Sequence, residues 1–353
     1  MDLVSLVERV GEAPTAALFG LITGIIFGVA AQRSRFCLRA ATVEFARGRL
    51  EDKVAVWFLT FSTAVVWVQA AQLLGLMDSA DARMMAVPGS WSGAIIGGLM
   101  FGAGMVLARG CSGRLLVLAA TGNLRSVVSG LIFAVVAQMS LSGVLSPARD
   151  HLAALWITEG GRNVDLLATL GLPGYGGLLI GIAFAIVALV LSFRQKIGAS
   201  RLIFASGVGF AVAVGWVLTY SLAQIAFEPV QIESATFTGP SANTLMFFLE
   251  RDTILEFDIG LVPGVFIGAM LAAWLAGEMR FQAFDDAVTM RKAMIGAAMM
   301  GFGGMLAGGC AIGAGVTGGS IFVGTAWLAL FCMWIGAMAT DFLIDQKAEP
   351  VTV

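Results

Sequence analysis

Nine apolar runs, each about as long as a bilayer core is thick, constrain this chain more than any motif does. They fall at roughly 16–32, 54–77, 92–108, 126–145, 175–193, 202–224, 260–277, 292–308 and 321–342. About 20 residues of helix cross ~30 Å of hydrocarbon, and in lipid only a helix or a closed barrel satisfies its own backbone. With 58% hydrophobic residues, 12% charged residues and 45 glycines in 353 positions, the expected fold class is an all-α polytopic membrane protein. We expect one integral membrane domain over 1–353 with about nine transmembrane helices. The formal net charge of -2 is spread without like-charge runs, so nucleic acid is not an expected partner and lipid is. The first run lacks both a basic flank before it and a small-residue cleavage site after it, so it reads as a retained span.

Lysine and arginine set an expected orientation. With nine crossings, 16 of the 21 basic residues fall on one side, in the loops 33–53, 109–125, 194–201 and 278–292 and at the C-terminus. The positive-inside rule then places the N-terminus outside and the C-terminus in the cytoplasm.

Two of the runs are broken by the same device. GAGMVLARGCSG (Gly102 to Gly113) and GFGGMLAGGCAIGAG (Gly301 to Gly315) each place Gly-Cys in a glycine cluster after a short span, followed by apolar pieces at 115–121 and 311–318 too short to cross. Broken hydrophobic segments in corresponding halves point to a transporter's binding site. The breaks follow spans three and eight, so they approach from opposite sides. That parity predicts an inverted repeat, with halves at about 15–147 and 201–343 and a linker span at about 175–193.

The residue types at the breaks define a chemistry. Cys111 has Arg109, Gly110, Ser112, Gly113 and Arg114 around it, and Cys310 follows Gly308 and Gly309. Backbone N–H groups at a helix start, approached closely through glycine, hold an anion without a counter-charge in lipid. A thiol adds a soft, polarizable contact and a weak donor. An anion that also gains from a soft partner is a sulfur-containing anion. Cys37, in AQRSRFCLRAA with Arg33, Arg35 and Arg39, extends the set after the first span. The candidate thiols for contact with such an anion are therefore Cys37, Cys111 and Cys310. Candidates for binding through backbone or charge are Gly110, Ser112, Gly113, Gly309, Arg109, Arg114 and Arg35. We expect no catalytic residue, metal ligand or cofactor.

Simpler roles account for other features. Cys332 lies in an uninterrupted apolar run and reads as a small buried hydrophobe. Gly97 and Gly268 read as helix-packing glycines, and His151 as a loop residue. The acidic stretch 225–258 reads as a solvated outer cap carrying one short helix near 243–250. Carboxylates such as Glu44, Asp165 and Asp341 lie at or beyond span ends, so no intramembrane carboxylate relay is expected. Two rival classes stay open: a membrane thiol-redox enzyme, which lacks a Cys-x-x-Cys pair, and a transporter of an ordinary oxyanion whose cysteines only fill space. A scaffold for a sulfur-oxidation complex would use none of the broken helices.

The combination QRSRFC (Gln32 to Cys37), ARGCSG (Ala108 to Gly113) with TGN (Thr121 to Asn123), and GGCAIGAGVTG (Gly308 to Gly318) resembles the YeeE/YedE family of sulfur-compound transporters. The resemblance implies a non-enzymatic membrane transporter that takes up thiosulfate or a close relative through a central path lined by Cys37, Cys111 and Cys310. It also implies handover to a small cytoplasmic sulfur-carrier protein of the TusA type in some members, and sulfane-sulfur or selenium cargo in others.

Overall fold

The computed structural model describes residues 3–251, 253–282 and 286–345. Asp252 of the acidic stretch and the end of the chain after Asp345 lie outside the described residues. Among those described, nine segments are long and apolar enough to cross a membrane, and they coincide with the nine apolar runs. The protein is all-helical. An amphipathic α1 (Leu3–Val10) leads into α2 (Glu12–Ser34), the short α3 (Leu38–Ala46) and α4 (Asp52–Leu73). After the small α5 (Arg83–Ala86) come α6 (Trp91–Leu107), the short α7 (Ser112–Ala120) and α8 (Leu124–Leu141). Helices α9 (Ser146–Ala154) and α10 (Leu166–Thr169) cover one end, and α11 (Gly176–Arg194) crosses on its own. The remainder is α12 (Ala199–Ala223), the short α13 (Thr238–Leu249), α14 (Phe257–Leu275), α15 (Ala287–Leu306), a π-helix here called π1 (Ala311–Gly318) and α16 (Gly324–Thr340).

Glycine stripes draw the crossing helices together. Gly20, Gly24 and Gly28 on α2 face Phe257, Leu261 and Val265 on α14, while Gly260, Gly264 and Gly268 on α14 face Ala17, Leu21 and Ile25 on α2. A Cβ added to Gly24 would stand 2.3 Å from the Leu261 carbonyl oxygen. Lipid supplies no hydrophobic drive between helices, so this backbone-to-backbone approach provides the attraction. The same holds where Gly97 of α6 meets Gly303 of α15, and where Gly102 of α6 meets Met333 of α16. The packing role expected for Gly97 and Gly268 is thus observed. Cys332 packs against α6 at Gly98.

Ion pairs and polar contacts sort the termini of these helices into two ends. At one end Arg201 pairs with Asp52 at 2.7 Å, Arg35 with Glu278 at 3.3 Å and Arg47 with the fully buried Asp341 at 3.1 Å. At the other end Glu12 accepts from the Phe227 N–H at 2.7 Å, and the Trp91 N–H donates to the Trp156 carbonyl at 2.8 Å. Helix α6 starts at this second end and α15 runs antiparallel to it, since Gly93 meets Leu306 and Gly104 meets Gly296. Short helix α7 finishes at the basic end, where Asn123 bridges to Gln282. The π1 segment finishes at the opposite end, where Val323 bridges to Asp165.

The middle of the stretch expected to be a solvated cap is interior, while residues 227–229 and 248–251 are exposed. Ile232, Glu233, Ser234, Ala235, Phe237 and Thr238 are all buried, and the short helix runs over Thr238–Leu249 rather than 243–250. Counting carboxylates hid the apolar residues between them. The backbone is fixed by Thr219 Oγ1, which donates to the Glu233 carbonyl at 2.7 Å, and by Ser234 Oγ, which donates to the Val212 carbonyl at 2.6 Å.

Candidate functional site

Each motif cysteine is the N-cap of a short helix: Cys37 of α3, Cys111 of α7 and Cys310 of π1. The local chain is built alike in all three. A crossing helix ends, the next residue but one before the cysteine takes a left-handed backbone (Arg35 φ 56°, Arg109 φ 57°, Gly308 φ 78°), and the cysteine itself is extended. At the two Gly-Cys breaks the turn closes with the 6→1 hydrogen bond of a Schellman ending. Gly110 N–H donates to the Met105 carbonyl at 3.0 Å, and Gly309 N–H donates to the Gly304 carbonyl at 2.9 Å. Sulfur therefore sits where a new helix presents its unpaired N–H groups.

The far ends of the two short segments match as well. After α7, Gly122 (φ 99°) and Asn123 donate to the carbonyls of Ala119 and Leu118; after π1, Phe322 (φ 57°) and Val323 donate to Gly319 and Gly318. Asn123 lies twelve residues after Cys111 and Val323 thirteen after Cys310. A π-turn holds one residue more than an α-turn, so π1 absorbs the extra residue within the same frame.

These segments bring the three thiols together inside the protein. Cys310 is fully buried: its Sγ accepts from the Gly313 N–H at 3.4 Å and from the Phe237 N–H at 3.3 Å, with Thr236 Oγ1 at 4.0 Å. Cys111 is 1% exposed, within hydrogen-bonding reach of the Cys37 side chain and within electrostatic range of Cys310. Cys37 is half-buried, and Arg39 and Arg114 act on it electrostatically. The order is Cys310, Cys111, Cys37, ending toward the basic end. All four cysteines are thiols.

Other candidates divide into those aimed inward and those aimed outward. Ser112 is buried, and its Oγ has no hydrogen-bond partner among the described residues. Gly113 lets the Phe237 ring and Ile312 approach α7, since a Cβ there would stand 3.2 Å from the ring. Gly309 performs the same service for the start of π1, where a Cβ would lie 2.9 Å from the Ala314 nitrogen. Arg114 borders the centre with a buried Nη1 that has no partner among the described residues. Arg109 is exposed at its turn, Gly110 packs near Leu115, and Arg35 is an exposed side chain paired with Glu278.

Two spaces flank the thiols. From the end opposite the basic one, a cavity of about 400 Å³ runs past Arg83, Asn163 and Asn243 to Thr236, Gly308 and Gly309, next to Cys310. Between Phe27, Ala31, Phe36, Gly113, Arg114, Val117 and Ile312 lies a narrow gap with no volume wide enough for a water. Phe27 and Phe237 close edge to face beside it, with ring centroids 5.1 Å apart.

Sequence reasoning missed Thr236 and Phe237, whose loop delivers a donor to Cys310, and also the cavity residues Arg83, Asn163 and Asn243. The readable signal was Ile232, Ala235 and Phe237 spaced through the loop between Gln231 and Thr238.

The sulphur-transport family model matches residues 33–339. Two curated relatives are each named a thiosulfate transporter TsuA. The chain is 26% identical to that of Escherichia coli strain K12 over 94% of its length and 96% of the relative, and 28% identical to that of Spirochaeta thermophila over 93% of its length and 99% of the relative. A helix-break pair built around thiols, a nine-span fold and a family match across most of the residues converge on one assignment. The chain belongs to the sulphur-transport (YeeE/YedE) family and is a multi-pass membrane transporter.

Proposed function

We propose that the protein imports thiosulfate or a closely related sulfur anion across a bacterial inner membrane, along the order Cys310, Cys111, Cys37. The observation that carries this reading is the convergence of three thiols, each at the start of a short helix, below a cavity that stops at Gly308 and Gly309. Helix-start N–H groups favour the oxyanion end. The terminal sulfur of thiosulfate gains from a thiol what the four hard oxygens of sulfate do not. Each such contact contributes roughly 0.5–1.5 kcal/mol, so discrimination accumulates over three thiols in series. The names of the TsuA relatives support the cargo.

In this reading the 400 Å³ cavity faces the periplasm, and the N-terminus lies on that side. The end holding Arg35, Arg47 and Arg201 faces the cytoplasm with the C-terminus, as the excess of basic residues directs. A TusA-like sulfur carrier would collect the anion near Cys37. The matched turns around α6–α7 and α15–π1 support an inverted repeat of about 15–147 and 201–343.

The test is uptake of radiolabelled thiosulfate by cells lacking other importers, under reducing conditions and at matched membrane expression. We expect Cys111→Ser and Cys310→Ser each to lower the initial rate by at least about tenfold, and the intact protein to resist excess sulfate. Serine variants that transport normally would keep the cargo and reject the thiol path.

A further inference from the structure

The wall of the outer cavity holds acid where an anion has to pass. Asp258, at the start of α14, lines the cavity and is 6% exposed. Its Oδ2 accepts from Asn243 Nδ2 at 3.0 Å, but its Oδ1 is buried without a hydrogen-bond partner among the described residues. Glu233 is 7% exposed and acts electrostatically on the same region, with Arg83 Nε 3.8 Å from its Oε2. The charged groups facing the pair are Arg83 from α5, Glu256 from the turn before α14, and each acid toward the other. Arg149 from α9 borders the same cavity but is paired with Asp150. Among the described residues, three carboxyls thus share one close cation. Burial pushes the Glu233 carboxyl well above the usual carboxylate range, Asp258 adds to this, and Arg83 opposes it.

A buried carboxylate oxygen with nothing to accept from is costly unless the group takes up a proton. Asp258 ionised in the wall, with Glu233 ionised behind Arg83, would also repel a dianion on its way to Gly309 and Cys310. We propose that Glu233 and Asp258 form a proton-binding site on the anion's path, and that at least one proton must be held there for the anion to reach Cys310. This rests on the transport reading above for the anion and, for the proton, on the burial of both acids and the unpartnered Asp258 Oδ1. The sign follows from the chemistry: an acid is neutral below its pKa, so access opens as the cavity-side pH falls. Thiosulfate stays a dianion across the range concerned, so the titrating partner is the protein.

The experiment has two arms, both on the full-length protein. In proteoliposomes, the initial rate of radiolabelled thiosulfate uptake is measured against cavity-side pH from about 5 to 8 at constant sodium. Wild type should lose rate with a slope approaching tenfold per pH unit above its midpoint, because the protonated fraction falls that way. Asp258→Asn keeps an acceptor for Asn243 and should flatten the profile, and Glu233→Gln should shift it. A flat wild-type profile, a slope retained in both variants, or a requirement for sodium in place of pH dependence would overturn the proposal. In the second arm, infrared difference spectra of purified protein should show the C=O stretch of a protonated carboxylic acid that titrates in the same range and is lost in Asp258→Asn. Failure of thiosulfate uptake at every pH would reject the proposed function, and the spectra would then decide the proton site independently. Spectra without that band reject it.

Discussion

Gly308 and Arg109 occupy the same step of the same turn and differ in what it costs them. Both have left-handed backbones, which an L side chain adopts at a cost of about 1–2 kcal/mol. A Cβ on Gly308 would meet nothing within 4 Å, so Gly308→Ala isolates the conformational term. We expect it to destabilise by about 1 kcal/mol, read as a lower melting temperature in detergent with the fold retained. Arg109→Gly should be neutral or stabilising by less than about 1 kcal/mol, because relief of the turn is offset by glycine's entropy. At this scale the sequence was legible where a residue type carries its own chemistry. Cys37, Cys111, Cys310 and Ser112 were named from composition of the motif and lie together. Thr236 was not, because what places its hydroxyl near Cys310 is Gly313, whose missing Cβ would stand 2.2 Å from Thr236 Oγ1. Such a pairing across 77 positions leaves no local mark.

Among the elements, the α2–α14 pair holds the frame against which the short helices are placed. Its glycines interlock on both sides, so a large side chain on either helix meets backbone, which cannot rotate away. We expect Gly24→Leu and Gly264→Leu each to destabilise by at least about 3 kcal/mol, the upper range for overpacking. The measurement is the loss of monodisperse protein after detergent extraction. Gly130→Leu, where an added Cβ meets nothing within 4 Å, serves as the control and should leave extraction unchanged. The nine spans were legible because run length against bilayer thickness is a strong constraint. Their short partners were legible only as leftovers, and π1 was not: eight residues, all small but Ile312 and Val316, show no periodicity from which a wider turn can be read. The buried loop before α13 was misread because its acids looked solvated, whereas Thr219 and Ser234 tie its backbone inside.

Across the whole molecule, the basic end is fastened by ion pairs between helices far apart in sequence. Asp341 is fully buried against Arg47, whose side chain is 31% exposed. Removing the cation leaves a buried carboxylate without its main partner, and breaking such a pair costs about 3–5 kcal/mol. Arg47→Ala should therefore lower the melting temperature substantially, while Arg35→Ala, which opens an exposed pair with Glu278, should cost about 0–1 kcal/mol. Thermal unfolding of the two variants side by side checks the contrast. The gap bounded by Phe27, Phe36, Gly113 and Ile312 has a different consequence. With no volume for water, it carries no continuous wire of hydrogen-bonded molecules along which protons could hop and no hydration shell in which a small ion could travel. A path through this gap therefore stays shut to a hydrated ion until its walls separate, so passage of cargo and leakage of charge are kept apart at the same place.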